Sequence, residues 1–158
     1  MDEMNDSATE RPIVMVVDDN VANLQSALNT LGDICDVFTA PSAEKMFDLL
    51  ERNTPMLILL DVNMPNMNGY EVLQLLKANP ATRDIPVIFL TGVQAHESLL
   101  EGFSLGADDY VLKPFMPQLL HKRVELHIML WEQKRLIEKQ AREIEEGAKK
   151  LRQQTAGF

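Results

Sequence analysis

The feature that most restricts this chain is a series of short apolar runs with no polar break, each closed by a polar residue. Ile13 to Val17 ends at Asp18-Asp19, Met56 to Leu60 at Asp61, and Pro86 to Leu90 at Thr91. An apolar run without alternation is what a strand covered on both faces requires. Between the runs, apolar residues recur at helical spacing. Val21, Leu24, Leu28 and Leu31 form one such set, stopped by Gly32, and Ala43, Met46, Phe47 and Leu50 form another. Tyr70 to Ala78 reads as helix broken by Pro80, and Ala95 to Leu105 as helix closed by Gly106. Ile34–Thr39 and Tyr110–Leu112 read as two further strands.

Five strands alternating with helices predict βαβ units, and so a parallel sheet covered on both faces with right-handed crossovers. The expected fold is α/β, a flavodoxin-like (βα)5 doubly wound parallel sheet of order 2-1-3-4-5 with an extended C-terminal helix. In that order strands 1 and 3 are neighbours at the switch point, where ligands bind beyond the carboxyl ends.

A length of 158 residues fits one domain and an appended element. We expect a disordered tail over 1–11, a globular domain over 12–130, and a helical linker over 131–158 leading to an output domain absent from this sequence. A net charge of −9 lacks the basic footprint of a nucleic-acid or anionic-membrane binder, and suits a cation or a protein partner better. Cys35 is the only cysteine, which excludes an internal disulfide and a thiolate metal cluster. No apolar stretch approaches the roughly 18 residues of a spanning helix, and the polar, acidic start is unlike a signal peptide, so the expected location is the cytoplasm.

From about Met116 to near Arg152 the pattern is one charged helix. Leu130, Ile137, Ile144 and Leu151 repeat every seven residues, whereas the alternate positions Gln133, Gln140 and Gly147 are poor seam residues. We read a weak parallel dimeric coiled coil, ahead of a merely solvated helix.

Parallel strands share their carboxyl ends, so Asp18, Asp19, Asp61, Thr91 and Lys113 are expected on one rim. Three carboxylates gathered there repel one another unless a cation sits among them, and Mg²⁺ takes such oxygen ligands. With a lysine charge and a threonine hydroxyl, this is a kit for phosphoryl transfer to a carboxylate. Taken singly, each residue is more ordinary: an aspartate after a strand commonly caps a helix, and a lone lysine or threonine is commonly solvated.

The motifs Val-Val-Asp18-Asp19-Asn, Leu-Leu-Asp61-Val-Asn-Met-Pro, Phe-Leu-Thr91-Gly, Gly106-Ala-Asp-Asp-Tyr110 and Lys113-Pro114-Phe resemble a two-component response-regulator receiver domain. The likeness runs from about Ile13 to Leu130, in order and at the family's spacing. It implies that Asp61 accepts a phosphoryl group from a histidine kinase or phosphotransfer protein. It implies Mg²⁺ held by Asp19 directly, by Asp18 through water, by Asp61, and by the backbone carbonyl of Asn63. Lys113 would pair with a phosphoryl oxygen, with the Lys113–Pro114 bond cis. Thr91 would move toward the phosphoryl group while Tyr110 turns inward, shifting the face formed by the fourth helix, the fifth strand and the fifth helix. Dimerisation through that face or the C-terminal helix is expected. Val93, two residues past Thr91, implies slow self-dephosphorylation.

The long helix is similar to those that join receivers to outputs controlling cyclic di-GMP. Such a switch turns over no separate substrate and is not expected to be an enzyme. Two rivals remain. A Mg²⁺-dependent phosphatase with an aspartyl-phosphate intermediate should carry Asp-x-Asp after its first strand, where this chain has Asp18-Asp19. The other is a dimerisation adaptor indifferent to phosphorylation. His96, His121 and His127 lack metal-ligand spacing and are assigned surface or packing roles, and Trp131 is assigned to packing at a helix or dimer seam.

Overall fold

The computed structural model describes residues 11–92 and 106–156. Five parallel strands are present: β1 (Ile13–Val17), β2 (Asp36–Ala40), β3 (Leu57–Asp61), β4 (Val87–Thr91) and β5 (Asp109–Leu112). They form one sheet of order β2-β1-β3-β4-β5, the order expected from the sequence. The helices are α1 (Val21–Leu31), α2 (Ala43–Leu50), α3 (Gly69–Ala78) and α4 (Pro117–Ala156). The helix expected over 95–105, with His96 and Val93, lies outside the described residues, as does the tail expected over 1–11 apart from Arg11.

The unbroken apolar runs are the centre of the sheet. Val14 to Val17, Leu57 to Leu60 and Val87 to Leu90 are all fully buried. Each such side chain contributes roughly 1.5–3 kcal/mol relative to exposure. Helix starts are fixed by side-chain caps. Asn20 accepts from the Ala22 N–H at 2.9 Å, Ser42 from Lys45 at 3.1 Å, and Asn68 from Glu71 at 2.9 Å.

Several boundaries differ from the sequence reading by a residue or two. Asp61 and Thr91 are the last residues of β3 and β4 rather than the first after them. The backbone explains this: the ladder continues past both, with the Val62 N–H on Leu90 O (3.1 Å) and the Lys113 N–H on Thr91 O (2.7 Å). The second strand begins at Asp36 rather than Ile34, because the Ile34 and Cys35 N–H groups both bond back to Leu31 O. Gly32 ends α1 in an ordinary right-handed conformation, whereas Gly106 has φ +107°.

Backbone contacts divide the chain into two units, Met1–Glu125 and Leu126–Phe158. The second consists of the C-terminal part of α4, a helix of 40 residues that runs past the expected end at Arg152 to Ala156. Among the described residues no helix is long and apolar enough to cross a membrane.

Candidate functional site

The rim at the carboxyl ends of β1, β3, β4 and β5 collects the expected residues. β1 pairs with β3, placing Val17 beside Leu60, so Asp18 and Asp61 leave adjacent strands side by side. One oxygen from each of Asp18, Asp19 and Asp61 lies within 4.8 Å of the others. Asp18 is fully buried and Asp61 nearly so, whereas Asp19 faces solvent.

Two buried carboxylates this close require compensation, and the chain supplies it at both. Asp18 Oδ1 accepts from the Asn20 N–H at 2.9 Å, and its Oδ2 accepts from Asn23 Nδ2 at 3.0 Å. Asp61 Oδ1 accepts from the Asn63 N–H at 3.1 Å. The Lys113 ammonium bridges the two, 3.1 Å from Asp18 Oδ2 and 2.8 Å from Asp61 Oδ1. Burial works against the Lys113 charge, but its bonds to Asp61 and Asp18 outweigh this and hold its pKa above the usual lysine value. Burial, aided by the Asp18 charge, pushes the Asp61 carboxyl up to about 6, although Lys113 and the Asn63 N–H both pull it down.

Thr91 is almost wholly buried at the end of β4, one strand beyond Asp61, and its hydroxyl donates to Gly92 O at 3.4 Å. Tyr110 pairs across the sheet with Phe89. The Phe89 ring stands 5.5 Å from the ring of Tyr110 and 5.1 Å from that of Tyr70. The Lys113–Pro114 bond is cis, as the resemblance implied.

Three contributors were not anticipated. Asn20 and Asn23 hold Asp18 in place; Asn20 was legible as a cap-forming residue after Asp18-Asp19, while Asn23 carries no signal of its own. Gly69 is buried directly behind Asp61, where an added Cβ would lie 2.7 Å from the Asp61 backbone oxygen and 2.9 Å from the Val62 Cα. In the sequence it reads only as the end of a turn-rich loop.

His121 makes its contacts outside this cluster. His121 Nε2 is 3.1 Å from Asp33 Oδ2, and its Nδ1 is 3.8 Å from Glu125 Oε2. Arg123 grips both oxygens of Asp109, at 3.0 and 2.8 Å. The Trp131 ring carries the Arg135 guanidinium 4.5 Å from its centroid.

The donor set suits a hard divalent cation. It is made of carboxylate oxygens, and the single Lys113 ammonium cannot neutralise three ionised carboxylates. Receiver domains bind Mg²⁺ through an acidic aspartate cluster of this kind, and Asp18, Asp19 and Asp61 form one here.

A family model described as the response regulator receiver domain matches residues 14–125. Over 115 residues the chain is 41% identical to a protein of Vibrio cholerae named probable cyclic di-GMP phosphodiesterase, covering 73% of this chain and 26% of that protein. Over 113 residues it is 36% identical to the probable transcriptional regulator ycf27 of Porphyridium aerugineum, covering 70% and 45% respectively. The chain thus spans less than half the length of these two relatives. Among solved structures, the Vibrio cholerae chemotaxis protein CheY4 matches with a TM-score of 0.69 at 29% identity, covering 73% of this chain and 98% of that one.

Proposed function

The chain belongs to the response regulator receiver family, and on that footing we propose that it is a phosphorylation switch of two-component signalling in which Asp61 is the phospho-acceptor. The supporting observation is the Lys113 ammonium set between two buried carboxylates at the strand rim. With a pKa of about 6, Asp61 is mostly ionised at neutral pH and available as a nucleophile.

An Asp61 oxygen attacks the phosphorus of a phosphohistidine on a histidine kinase or phosphotransfer protein. The phosphorus–nitrogen bond breaks, the electron pair returns to the imidazole, and an aspartyl phosphate forms. Asp18, Asp19, Asp61 and the Asn63 carbonyl are the groups that would hold Mg²⁺, which when bound offsets the negative charge gathered at the site. Lys113, already beside the acceptor oxygen, pairs with a phosphoryl oxygen. The Thr91 hydroxyl donates to another, and Tyr110 turns into the space that Thr91 leaves. The strand β5 and α4 surface then changes its partner preference, a two-state equilibrium that the phosphoryl group biases.

Residues 12–130 are proposed as the receiver and 131–158 as the link to an output domain. The name of the Vibrio cholerae relative favours cyclic di-GMP turnover as that output. Hydrolysis of cyclic di-GMP by the full-length protein, with and without acetyl phosphate, tests this part.

The acceptor is tested by incubating the chain with acetyl phosphate and Mg²⁺ and reading intact mass. The wild type gains one phosphoryl group and Asp61→Asn gains none. Equal labelling of the two removes Asp61 from this role.

A further inference from the structure

Asp18 Oδ2 is held by two donors at nearly equal distance, and they differ in kind. Asn23 Nδ2 lies 3.0 Å from it and Lys113 Nζ 3.1 Å. Asn23 belongs to the first turn of α1, a helix fixed by the buried Leu24, Ala27 and Leu31 and capped by Asn20, whose side-chain oxygen accepts from the Ala22 and Asn23 N–H groups. Its short side chain reaches the rim from that rigid base. Lys113 comes instead from just beyond β5, on a four-carbon arm that is 22% exposed, and shares its ammonium with Asp61 Oδ1 at 2.8 Å. One donor is therefore fixed and neutral, the other flexible and charged.

That difference bears on the switch proposed above, on which this inference rests. Pairing Lys113 with a phosphoryl oxygen draws its ammonium away from Asp18, a fully buried carboxylate. A buried carboxylate left short of donors is costly. With Asn23 in place, Asp18 keeps a donor on each oxygen, the Asn20 N–H on Oδ1 and the Asn23 amide on Oδ2. Without that amide, Oδ2 depends on the lysine, and the carboxylate holds the ammonium back.

We propose that Asn23 is a positioning residue for phosphoryl transfer to Asp61: its amide keeps Asp18 Oδ2 satisfied while Lys113 is handed over to the phosphoryl group. Asn23 acts through Asp18 and Lys113, not on the phosphoryl group itself. An amide donating to a carboxylate makes a charge-assisted hydrogen bond, strong enough to stand in for the departing ammonium.

The test uses the whole chain. Asn23→Ala and Asn23→Leu both remove the amide, and both put a better helix former in α1, so helix propensity is not lost. Each is made alone and together with Lys113→Met. Initial rates of acetyl-phosphate labelling at Asp61 are read by intact mass across a Mg²⁺ series up to saturation, and urea midpoints are read in EDTA. With Lys113 present, loss of the amide should slow labelling about tenfold at saturating Mg²⁺, the kinetic weight of one charge-assisted hydrogen bond. With Lys113→Met it should slow labelling no further, because no ammonium remains to be released. Stability should couple in the opposite sense. Each donor backs up the other, so the midpoint shift of the double variant should exceed the sum of the single shifts.

Equal slowing with and without Lys113 would reveal a merely structural role and overturn the proposal. A deficit that vanishes as Mg²⁺ reaches saturation would place Asn23 in metal binding alone and overturn it too, as would additive urea shifts. In all three cases, labelling of wild type but not of Asp61→Asn leaves the switch standing. A wild type that takes no phosphoryl group at Asp61 removes the switch and this role together.

Discussion

Asp61 Oδ1 lies 2.8 Å from Lys113 Nζ, and the same ammonium reaches Asp18 Oδ2 at 3.1 Å. One lysine thus serves two buried carboxylates, and its removal leaves them facing each other with backbone and asparagine donors alone. Breaking a buried pair by deleting one partner costs on the order of 3 kcal/mol. Lys113→Met should therefore unfold at lower denaturant by about that amount. Adding Asp61→Asn should recover much of the loss, because it removes one of the two stranded charges. Urea unfolding of the four chains in this cycle measures the coupling. Additive effects of the two substitutions would show that the bridge carries no energy.

The raised Asp61 pKa makes stability depend on pH in a stated direction. The folded chain holds the proton until about pH 6, whereas the unfolded carboxyl releases it near 3.8. A group of this kind favours the folded state fully below its unfolded pKa, and that advantage is lost as pH rises through the folded one. With EDTA present, Asp61→Asn and wild type should melt together near pH 4. The variant should then pull ahead as pH rises toward 6 and hold its lead above that. A lead that shrinks over this window would reverse the sign assigned to the carboxyl.

Gly69 and Gly147 make opposite predictions from the same substitution. A Cβ at Gly69 would meet two backbone atoms, Asp61 O at 2.7 Å and Val62 Cα at 2.9 Å, neither of which can swing aside. Gly69→Ala should cost about 1–3 kcal/mol and slow labelling of Asp61, whose backbone must shift. At Gly147, in the exposed part of α4, nothing lies within 4 Å of the added carbon. Gly147→Ala should raise stability by about 0.5–1 kcal/mol through helix propensity. Thermal unfolding with mass-resolved labelling separates the two, and equal behaviour would show that the contact behind Asp61 is not tight.

The contrast between these glycines also marks what the residues themselves reveal. The unbroken runs around Val16, Leu59 and Phe89 announce buried parallel strands, because a doubly covered strand excludes polar side chains whatever its neighbours. Connectivity narrows the strand order to a few doubly wound choices, and the flavodoxin-like one expected here is the one that brings Asp18 to Asp61. Where a strand ends is less legible: hydrophobicity stops at Leu60 and Leu90, but the hydrogen-bond ladder carries Asp61 and Thr91 into the sheet. Least legible are contacts that depend on distance between elements. Asn23 reaches Asp18 because α1 begins at that rim, and Gly69 is required by an approach that only the folded chain makes.

Asp18 and Asp19 are neighbours in sequence and should separate cleanly in behaviour. Asp18 is fully buried and accepts from the Asn20 N–H, the Asn23 amide and Lys113, so Asp18→Ala leaves those donors short of a partner. The expected loss is about 3 kcal/mol, with or without metal. Asp19 is exposed. Replacing an exposed side chain changes metal-free stability by less than about 0.5 kcal/mol. If Asp19 is a direct ligand, though, its removal takes one charge from the set that holds Mg²⁺. Wild type should gain stability as Mg²⁺ is titrated, by RT ln(1 + [Mg²⁺]/Kd), and Asp19→Asn should need far more of the ion for the same gain. Calorimetric melting across a Mg²⁺ series, with EDTA as the zero point, reads both effects. Equal Mg²⁺ stabilisation of Asp19→Asn and wild type would exclude Asp19 as a ligand, and an unchanged EDTA melting point for Asp18→Ala would deny the buried aspartate its structural part.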